Sequence, residues 1–301
     1  MRLLIFNHHS IDEDSTIHEV NEFFLELSHG IKKYILQNGV KNSRFFTELD
    51  NFIKYEIITG YKIIDAIKSL SRDLKSIIFD LITMKCNNDC LNNLSEEDEE
   101  KVTDYDVIFA DEAAEKDYMI LAFSLEKEGV LLSFNRDRWT NNSIEVLKYS
   151  NNVTTKAYID NIATQEHATT LINQEILVKL PNKDITYSDS FNKWLLTQAS
   201  IHREKIIEKI IFVSSKNFDG GRENLIEHIT TDKIHNLKEI IIGTAGGMSW
   251  ANIRVFFKSI NDKHYIYHGF IKQNEKNQVQ TYEEEVIETV KIIESEMING
   301  L

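Results

Sequence analysis

The sequence predicts an α+β protein of two domains, in which an α-rich N-terminal domain with a few strands precedes a smaller domain of helices and strands. Three observations lead to this prediction. Apolar residues recur at helical spacing through most of the first hundred residues. Strand-like apolar runs become frequent after that point. The chain has 301 residues, of which 42% are hydrophobic and 27% charged, so it can bury one large core or two modest ones.

The N-terminal domain is predicted to begin with a short buried strand at residues 2–7. Helical spacing follows in residues 18–36 and predicts an amphipathic helix. The same spacing predicts helices at 45–55 and 65–84. The next segment, 87–104, is rich in asparagine and acidic residues, which is typical of a solvated loop or a helix start.

Strand patterns prevail in the rest of this domain. Residues 107–109 and 129–134 are predicted strands, and the second is expected to be buried because it is apolar almost throughout. A helix is predicted between them, at about 113–123. Residues 143–149 and 152–158 are predicted to pair as two further strands.

The domain boundary is predicted from the only proline, Pro181, which lies in a polar segment. It divides the chain into an acidic domain of residues 1–185 and a second domain of residues 186–301. The first 188 residues carry 20 Lys and Arg against 32 Asp and Glu, a net charge of −12, and the remainder carries 14 against 16, a net charge of −2. A nearly neutral C-terminal domain can still contain a local basic cleft.

The C-terminal domain is predicted to begin with one or two helices in residues 191–212, for which Ser190 can supply the N-cap. Apolar residues in 283–297 form a stripe opposite acidic residues, which predicts a closing helix. Three strands are predicted between these helices, at 237–242, 253–260 and 264–271.

The last two strands carry side chains that could hold a phosphate and move protons without a metal. A guanidinium fork suits two phosphoryl oxygens, and histidine titrates near pH 7. These side chains are Arg254, Lys258, His264, Tyr265, Tyr267, His268 and Lys272. Structural roles stay open for the same residues, namely an ion pair for Arg254, cross-strand packing for the tyrosines and a core or edge position for His268.

Several segments of this region match the pattern of a known family. They are Leu237-Lys-Glu-Ile, Trp250-Ala-Asn-Ile-Arg-Val-Phe-Phe, Tyr265-Ile-Tyr-His-Gly-Phe-Ile-Lys272, Lys276 and a Thr281-x-x-Glu284 helix start. Together they resemble the RelE/HigB-like superfamily of bacterial toxins, and most of all the branch related to phage Gp49 proteins. The resemblance covers about residues 191–301.

The resemblance implies a small domain in which two leading helices pack against a twisted antiparallel sheet. It also implies an endoribonuclease, free or ribosome-dependent, that cleaves mRNA by 2′-OH attack without a metal or cofactor. In that family pattern Arg254 would clamp the phosphate, and Lys272 would hold RNA or the transition state. His268 and Tyr267 would carry protons. The expected RNA-binding side chains are Lys238, Lys258 and Lys276.

The expected function is therefore that of a cytoplasmic bacterial toxin, an RNA hydrolase of a toxin–antitoxin or phage-defence system. Its expected partners are RNA, free or on the ribosome, and an inhibitor or antitoxin protein. Two alternatives stay open. One is a non-catalytic binding or assembly protein of a defence system that uses the same sheet as a recognition platform. The other is an acidic metal-dependent nuclease, which would need a cluster of carboxylates.

The N-terminal domain shows a similarity to uncharacterised bacterial proteins that are found beside defence genes. The similarity rests on Phe109-Ala-Asp-Glu-Ala, Leu131-Leu-Ser-Phe134 and Trp139. It implies that an acidic domain of this kind acts as a built-in inhibitor, as a sensor of phage components or as an adaptor to a ribosome or partner.

Two groups of possible metal ligands in the sequence are better explained without a metal. Cys86 and Cys90 are expected to be free thiols, because a lone Cys-x3-Cys lacks the second pair that a structural zinc needs. His8 and His9 precede a run of acidic residues, but adjacent side chains on an extended chain point to opposite faces. A plain polar loop is therefore expected there.

Nucleotide cofactors and membrane insertion also receive no support. The sequence contains neither Gly-x4-Gly-Lys-Ser/Thr nor Gly-x-Gly-x-x-Gly. None of its apolar runs approaches the length of about 20 residues that a membrane helix needs.

Overall fold

The structure, a computed structural model, divides the chain into two units, Met1–Ile172 and Asn173–Leu301. The division falls at residues 172 and 173, and the boundary predicted from Pro181 fell at 185 and 186. Helices and strands occur in both units, which confirms the α+β class. The structure describes residues 2–39, 43–49, 51–87, 100, 102, 106–109, 119–150, 153–219, 226–228, 237–243, 251–273, 287, 290, 291 and 293.

The N-terminal unit is built on a seven-stranded sheet with the order β5-β2-β1-β7-β9-β8-β6. Strands β5, β2, β1, β7 and β9 run parallel to one another, and β8 is antiparallel to both β9 and β6. Two further strands, β3 and β4, form a hairpin. The strands are β1 (Arg2–Phe6), β2 (Ser43–Phe46), β3 (Glu56–Ile58), β4 (Tyr61–Lys62), β5 (Cys86–Asn87), β6 (Asp106–Ile108), β7 (Val130–Leu132), β8 (Ser143–Ser150) and β9 (Val153–Ile162).

Helices cover both faces of this sheet. They are α1 (Ile17–Asn38), α2 (Ile63–Ser69), α3 (Arg72–Lys85), α4 (Met119–Glu126) and α5 (Gln165–Leu177), of which α5 extends across the division between the units. Ile5 of β1 belongs to the core cluster formed by α4. The ring of Phe6 packs on Phe134, which also contacts Phe24 of α1. Consecutive residues of β1 are therefore buried on opposite faces, as in parallel sheets with helices on both sides.

The N-terminal unit contains more strand than the sequence predicted. The helix predicted at 45–55 is wrong, because Ser43–Phe46 is strand β2 and Phe52–Lys54 is a 3-10 turn. The helix predicted at 65–84 is divided into α2 and α3 at Leu70. Strands of two to five residues are too short to show a period of two, so their apolar residues merged with those of neighbouring helices.

The longer elements were predicted well. Helix α1 begins with a capping box between Thr16 and Glu19, and it corresponds to the amphipathic helix predicted at 18–36. The predicted pairing of 143–149 with 152–158 is confirmed by the antiparallel ladder of β8 and β9.

The C-terminal unit contains a five-stranded sheet with the order β10-β14-β13-β12-β11. Strand β10 is parallel to β14, and the other neighbours are antiparallel. The described residues between β10 and β11 form two helices, of which the first packs along β14 and the second along β12. The elements are β10 (Ile185–Tyr187), α6 (Asp189–Thr197), α7 (Ser200–Ser215), β11 (Ile226–His228), β12 (Lys238–Gly243), β13 (Ala251–Ile260) and β14 (Lys263–Gln273).

The predicted cap of the first of these helices is wrong by two residues. Ser188, and not Ser190, is the N-cap of α6, since its hydroxyl accepts a hydrogen bond from the backbone N–H of Phe191 at 3.0 Å. The hydroxyl of Ser188 also donates to the carbonyl of Tyr267. The start of α6 is thus attached to β14, and Ser190 is left in the first turn of the helix.

Some predicted features fall beyond the described residues. They include Cys90, Trp250, Lys276, the Thr281-x-x-Glu284 helix start and most of the acidic segment 87–104. The closing helix predicted at 283–297 is described at residues 287, 290, 291 and 293 alone, which are helical. None of the helices in the described part of the chain combines the length and the apolar character needed to cross a membrane.

Candidate functional site

The strand register decides which of the predicted catalytic residues share a face of the C-terminal sheet. Arg254 of β13 pairs with Phe270 of β14. Two positions further along β13, Phe256 pairs with His268. Residues that pair directly across antiparallel strands lie on the same face, and so does every second residue along each strand. Arg254 and His268 are therefore diagonal neighbours on one face.

The predicted lysines are divided among several places. Lys272 lies two residues after Phe270 on β14, and its backbone pairs with that of Asn252. Lys258 is largely buried, with 8% of its surface exposed. Lys238 lies on the other face, because the next residue, Glu239, contacts Arg254 across the first face. The ammonium of Lys238 is 6.0 Å from the centroid of the Phe257 ring. Lys238 and Lys258, the two described lysines among those predicted to bind RNA, thus lie in different surroundings.

Arg254 is buried in an ion pair. Its Nε atom lies 3.1 Å from Oε1 of Glu239, and only 9% and 8% of the two side chains is exposed. Among the described residues, Nη1 of Arg254 is buried and finds no hydrogen-bond acceptor. Leaving a buried donor without a partner costs about 1–3 kcal/mol. The guanidinium is therefore held beside one carboxylate, and within the described part of the chain its Nε and Nη1 atoms make no hydrogen bond.

Tyr267 lies in an apolar cluster next to a β-bulge. Phe256 pairs with His268 while the next residue, Phe257, pairs with Ile266, so Tyr267 is the extra residue on β14. Only 3% of Tyr267 is exposed. Its cluster also contains Leu237, Phe256, Ile287, Val290 and Ile293. The surroundings of Tyr267 are those of a core residue.

His268 is half-buried and is held by the first turn of α6. Its Nδ1 atom lies 2.9 Å from the hydroxyl of Ser190, and its ring centroid is 6.1 Å from that of Trp194. Helix α6 can approach so closely because the next residue is Gly269, where a Cβ atom would overlap the Trp194 ring. Burial lowers the pKa of His268, so its imidazole is neutral at pH 7. A neutral, oriented imidazole can accept a proton from a substrate.

His264, the other histidine of this hairpin, has a structural environment. Its ring stacks on Phe218 with the centroids 4.0 Å apart, and its Nδ1 atom lies 2.8 Å from the hydroxyl of Ser259. Burial is the main cause that lowers the pKa of His264, and the nearby charge of Lys238 acts in the same direction.

Comparison with known proteins adds nothing to this region or to the rest of the chain. We found no match to a family model, to a curated protein or to a solved structure. The resemblance to RelE/HigB-like toxins therefore stays an expectation from the sequence segments named above.

The N-terminal unit has a second polar site, at the carboxyl ends of its parallel strands. Strand β1 is flanked by β2 on one side and by β7 on the other, so the strand order changes direction at this point. In open α/β sheets, ligands bind outside the carboxyl ends of the strands at such a switch point. Polar residues follow β1, β2 and β7. Four of them are fully buried, namely Asn7, Ser10, Thr47 and Ser133, and Glu48 is partly exposed.

Ser10 joins the two loops at the switch point. Its hydroxyl donates to the carbonyl of Asn7 at 2.7 Å and accepts from the backbone N–H of Phe134 at 2.9 Å. The side-chain amide of Asn7 donates to the hydroxyl of Ser133 at 3.0 Å. The loops after β1 and β7 are thus held together by buried hydrogen bonds.

His8 and His9 lie side by side in this site, contrary to the expectation from the sequence. The expectation assumed an extended chain, but His8–Ser10 is a 3-10 turn, which places the two ring centroids 4.1 Å apart. The nearby acidic Asp12 does not take part, since it pairs with Arg136 at 2.6 Å. The carboxylate beside the histidines is that of Glu48.

Glu48 was missed by the sequence analysis. It lies two residues after β2, and its Oε2 atom is 3.4 Å from Nδ1 of His8 and 4.0 Å from Nε2 of His9. Burial lowers the pKa of His8. The only signal in the sequence was that Glu48 follows an apolar segment, and this becomes informative only when that segment is known to be a strand parallel to β1.

We expect Ser10→Ala to destabilise the N-terminal unit by about 1–3 kcal/mol, because the backbone N–H of Phe134 would remain buried without an acceptor. The change can be measured by urea unfolding followed through the fluorescence of Trp139. The background should carry Trp194→Phe and Trp250→Phe, so that the signal comes from this unit alone.

The matched control for Ser10→Ala is Thr140→Ala. The Thr140 hydroxyl is exposed and donates only to the carbonyl of Asp137 in its own turn. Its loss should change the stability by less than about 0.5 kcal/mol. Equal effects of the two substitutions would contradict the bridging role of Ser10.

The stability of the C-terminal unit should fall as the pH is lowered from 8 to 5. The pKa values of His264 and His268 are lowered by burial, so the unfolded chain binds protons at a higher pH than the folded chain does. Stability therefore decreases once the pH drops below the ordinary histidine pKa of about 6.5. Urea unfolding followed through Trp194 fluorescence, with Trp139→Phe and Trp250→Phe, measures this dependence. His268→Gln should reduce the dependence of the unfolding free energy on pH. An unchanged dependence would contradict a lowered pKa of His268 in the folded chain.

Proposed function

We propose that the C-terminal unit is a metal-independent endoribonuclease that acts as a toxin in a bacterial toxin–antitoxin or phage-defence system. The observation that carries this proposal is the placement of Arg254 and His268 as diagonal neighbours on one face of β13 and β14. The order of elements also favours it, since two helices lead into the sheet as the resemblance to RelE/HigB-like toxins implies.

His268 takes the proton in this proposal. Its Nδ1 atom is engaged by Ser190, which leaves Nε2 for the substrate. The neutral imidazole accepts the proton of the ribose 2′-OH while the 2′-oxygen forms a bond to the adjacent phosphorus. The bond from phosphorus to the 5′-oxygen breaks, the leaving oxygen takes up a proton from solvent water, and the protonated His268 afterwards returns its proton to solvent. The products are a 2′,3′-cyclic phosphate and a 5′-hydroxyl.

Arg254 supplies positive charge where negative charge develops on the phosphoryl oxygens. Its ion pair with Glu239 fixes the guanidinium, and the buried Nη1 donor without an acceptor among the described residues is the group that a phosphoryl oxygen would satisfy. Lys272 follows on the same strand as His268, at the position paired with Asn252. Tyr267 has no direct part in this proposal because it is buried in the apolar cluster.

The second candidate is a non-catalytic protein that uses the same unit for binding or assembly. The burial of both Arg254 and Glu239 favours it, because an ion pair with so little exposure can serve to fix the register of β12 and β13 alone.

An RNA-cleavage assay separates the two candidates. The purified full chain is incubated with a synthetic RNA in the presence of EDTA, with and without ribosomes, and the product ends are analysed. We expect cleavage that leaves a 2′,3′-cyclic phosphate, and we expect His268→Ala to reduce the rate by about 10²–10⁴-fold, as is typical for loss of a general base.

The matched control is His202→Ala, which removes a histidine from α7 and should leave the rate unchanged. A double variant, Arg254→Gln with Glu239→Gln, tests the guanidinium without leaving a lone carboxylate buried, and it should also lose activity. Intact RNA in both incubations of the wild type, or full activity of His268→Ala, would exclude the nuclease proposed here. Retention of the same RNA on a filter without cleavage would support the binding protein.

A further inference from the structure

Three side chains at the switch point of the N-terminal sheet have the composition of a metal site. His8 and His9 come from the 3-10 turn after β1, and Glu48 comes from the loop after β2. Each offers one donor atom, and the three donor atoms all lie within 4.8 Å of one another. Among the described residues this is the only set of three His, Cys, Asp or Glu side chains whose donor atoms come so close together.

We propose that His8, His9 and Glu48 bind a divalent first-row transition-metal ion, with Zn²⁺ or Fe²⁺ as the chemical type. Two imidazoles and one carboxylate suit these ions, whereas Mg²⁺ and Ca²⁺ prefer sites made of oxygen alone. Three protein ligands leave at least one coordination position for water or a substrate.

The distances are compatible with a bound ion after a small movement. Ligand atoms at about 2.0–2.2 Å from a tetrahedral zinc lie roughly 3.3–3.6 Å from one another. The contact between His8 Nδ1 and Glu48 Oε2 is already 3.4 Å. The contact between His9 Nε2 and the same oxygen is 4.0 Å, and His9 is the most exposed of the three side chains at 32%. The donor atoms, which all lie within 4.8 Å of one another, must therefore move closer together to bind an ion, and the exposed His9 side chain is the one best placed to move.

A second observation points to a ligand at this place. Nδ1 of His8 is buried and makes no hydrogen bond within the described part of the chain. Glu48, whose side chain is 15% exposed, brings a carboxylate within 3.4 Å of this nitrogen without forming a hydrogen bond to it. A metal ion would coordinate both groups, and it would offset the desolvation of each.

Hydrogen bonds hold the backbone around the site, and a metal site needs its ligands to be positioned in this way. The 3-10 turn is closed by backbone hydrogen bonds from Ser10 to Asn7 at 3.2 Å and from Ile11 to His8 at 3.0 Å. The Ser10 hydroxyl joins this turn to the loop after β7. On the other side, Thr47 is fully buried next to Glu48. The three ligands are thus carried by the ends of two neighbouring parallel strands, and the proposal does not depend on RNA cleavage by the C-terminal unit.

The test is titration of the full chain with Zn²⁺ by isothermal calorimetry, after treatment with a chelator and desalting. We expect one ion per chain at this site. His8→Ala, His9→Ala and Glu48→Gln should each weaken binding by at least about 10-fold, the lower end of the loss known for altered metal sites. Glu48→Gln is nearly isosteric, so a loss of affinity in this variant does not reflect unfolding.

A matched control is available in α1. His18 and Glu22 form an exposed histidine–glutamate pair with Nε2 and Oε1 3.7 Å apart. His18→Ala with Glu22→Gln should leave zinc binding unchanged. Substitution by Co²⁺ provides a second readout, since coordination by His8, His9 and Glu48 gives visible absorption bands that Glu48→Gln should shift or abolish.

Two results would overturn the proposal. One is the absence of zinc binding by the wild type under conditions in which its far-ultraviolet circular dichroism is that of a folded chain. The other is equal zinc affinity and an unchanged Co²⁺ spectrum in the wild type and Glu48→Gln, which would place the bound ion elsewhere.

Discussion

The pairing of β1 with β2 on one side and β7 on the other is the constraint on which the N-terminal unit depends. It places β1 inside the sheet, so Leu4, Ile5 and Phe6 are all buried and helices must cover both faces. It also brings the ends of three parallel strands to one edge. Backbone groups buried there need partners, and the Ser10 hydroxyl supplies one of them. The convergence of His8, His9 and Glu48 follows from the same pairing.

Register has the corresponding role in the C-terminal unit. The ladder between β13 and β14 changes register at Phe256 and Phe257, and the bulge turns Tyr267 into the apolar cluster while His268 lies next to Ser190. The bulge thus gives Tyr267 and His268 different surroundings, although the sequence made both of them candidate proton carriers. The diagonal contact between Arg254 and Glu239 depends on the neighbouring ladder of β12 and β13 in the same way.

Local signals explain what the sequence could predict. Thr16 and Glu19 form a capping box, and the long strands of the β13–β14 hairpin carry a clear pattern around a tight turn. The short parallel strands had no such signal, since β2 has four residues and β7 has three. The candidate metal site could not be predicted, because Glu48 is 40 residues from His8 and the 3-10 turn overrides the alternation of an extended chain.

The charge of the chain limits how RNA could be bound. The net charge is −14, and most of it arises from the first 188 residues, so long-range attraction of a polyanion is not expected. Repulsion between exposed charges is screened beyond about 8–10 Å at physiological salt. Under the proposed function, binding would then come from short-range contacts such as those of Arg254, whose Nη1 atom is buried and has no hydrogen-bond acceptor among the described residues. Catalysis in the C-terminal unit would therefore depend on orientation, through Ser190 and Glu239, more than on an accumulation of positive charge.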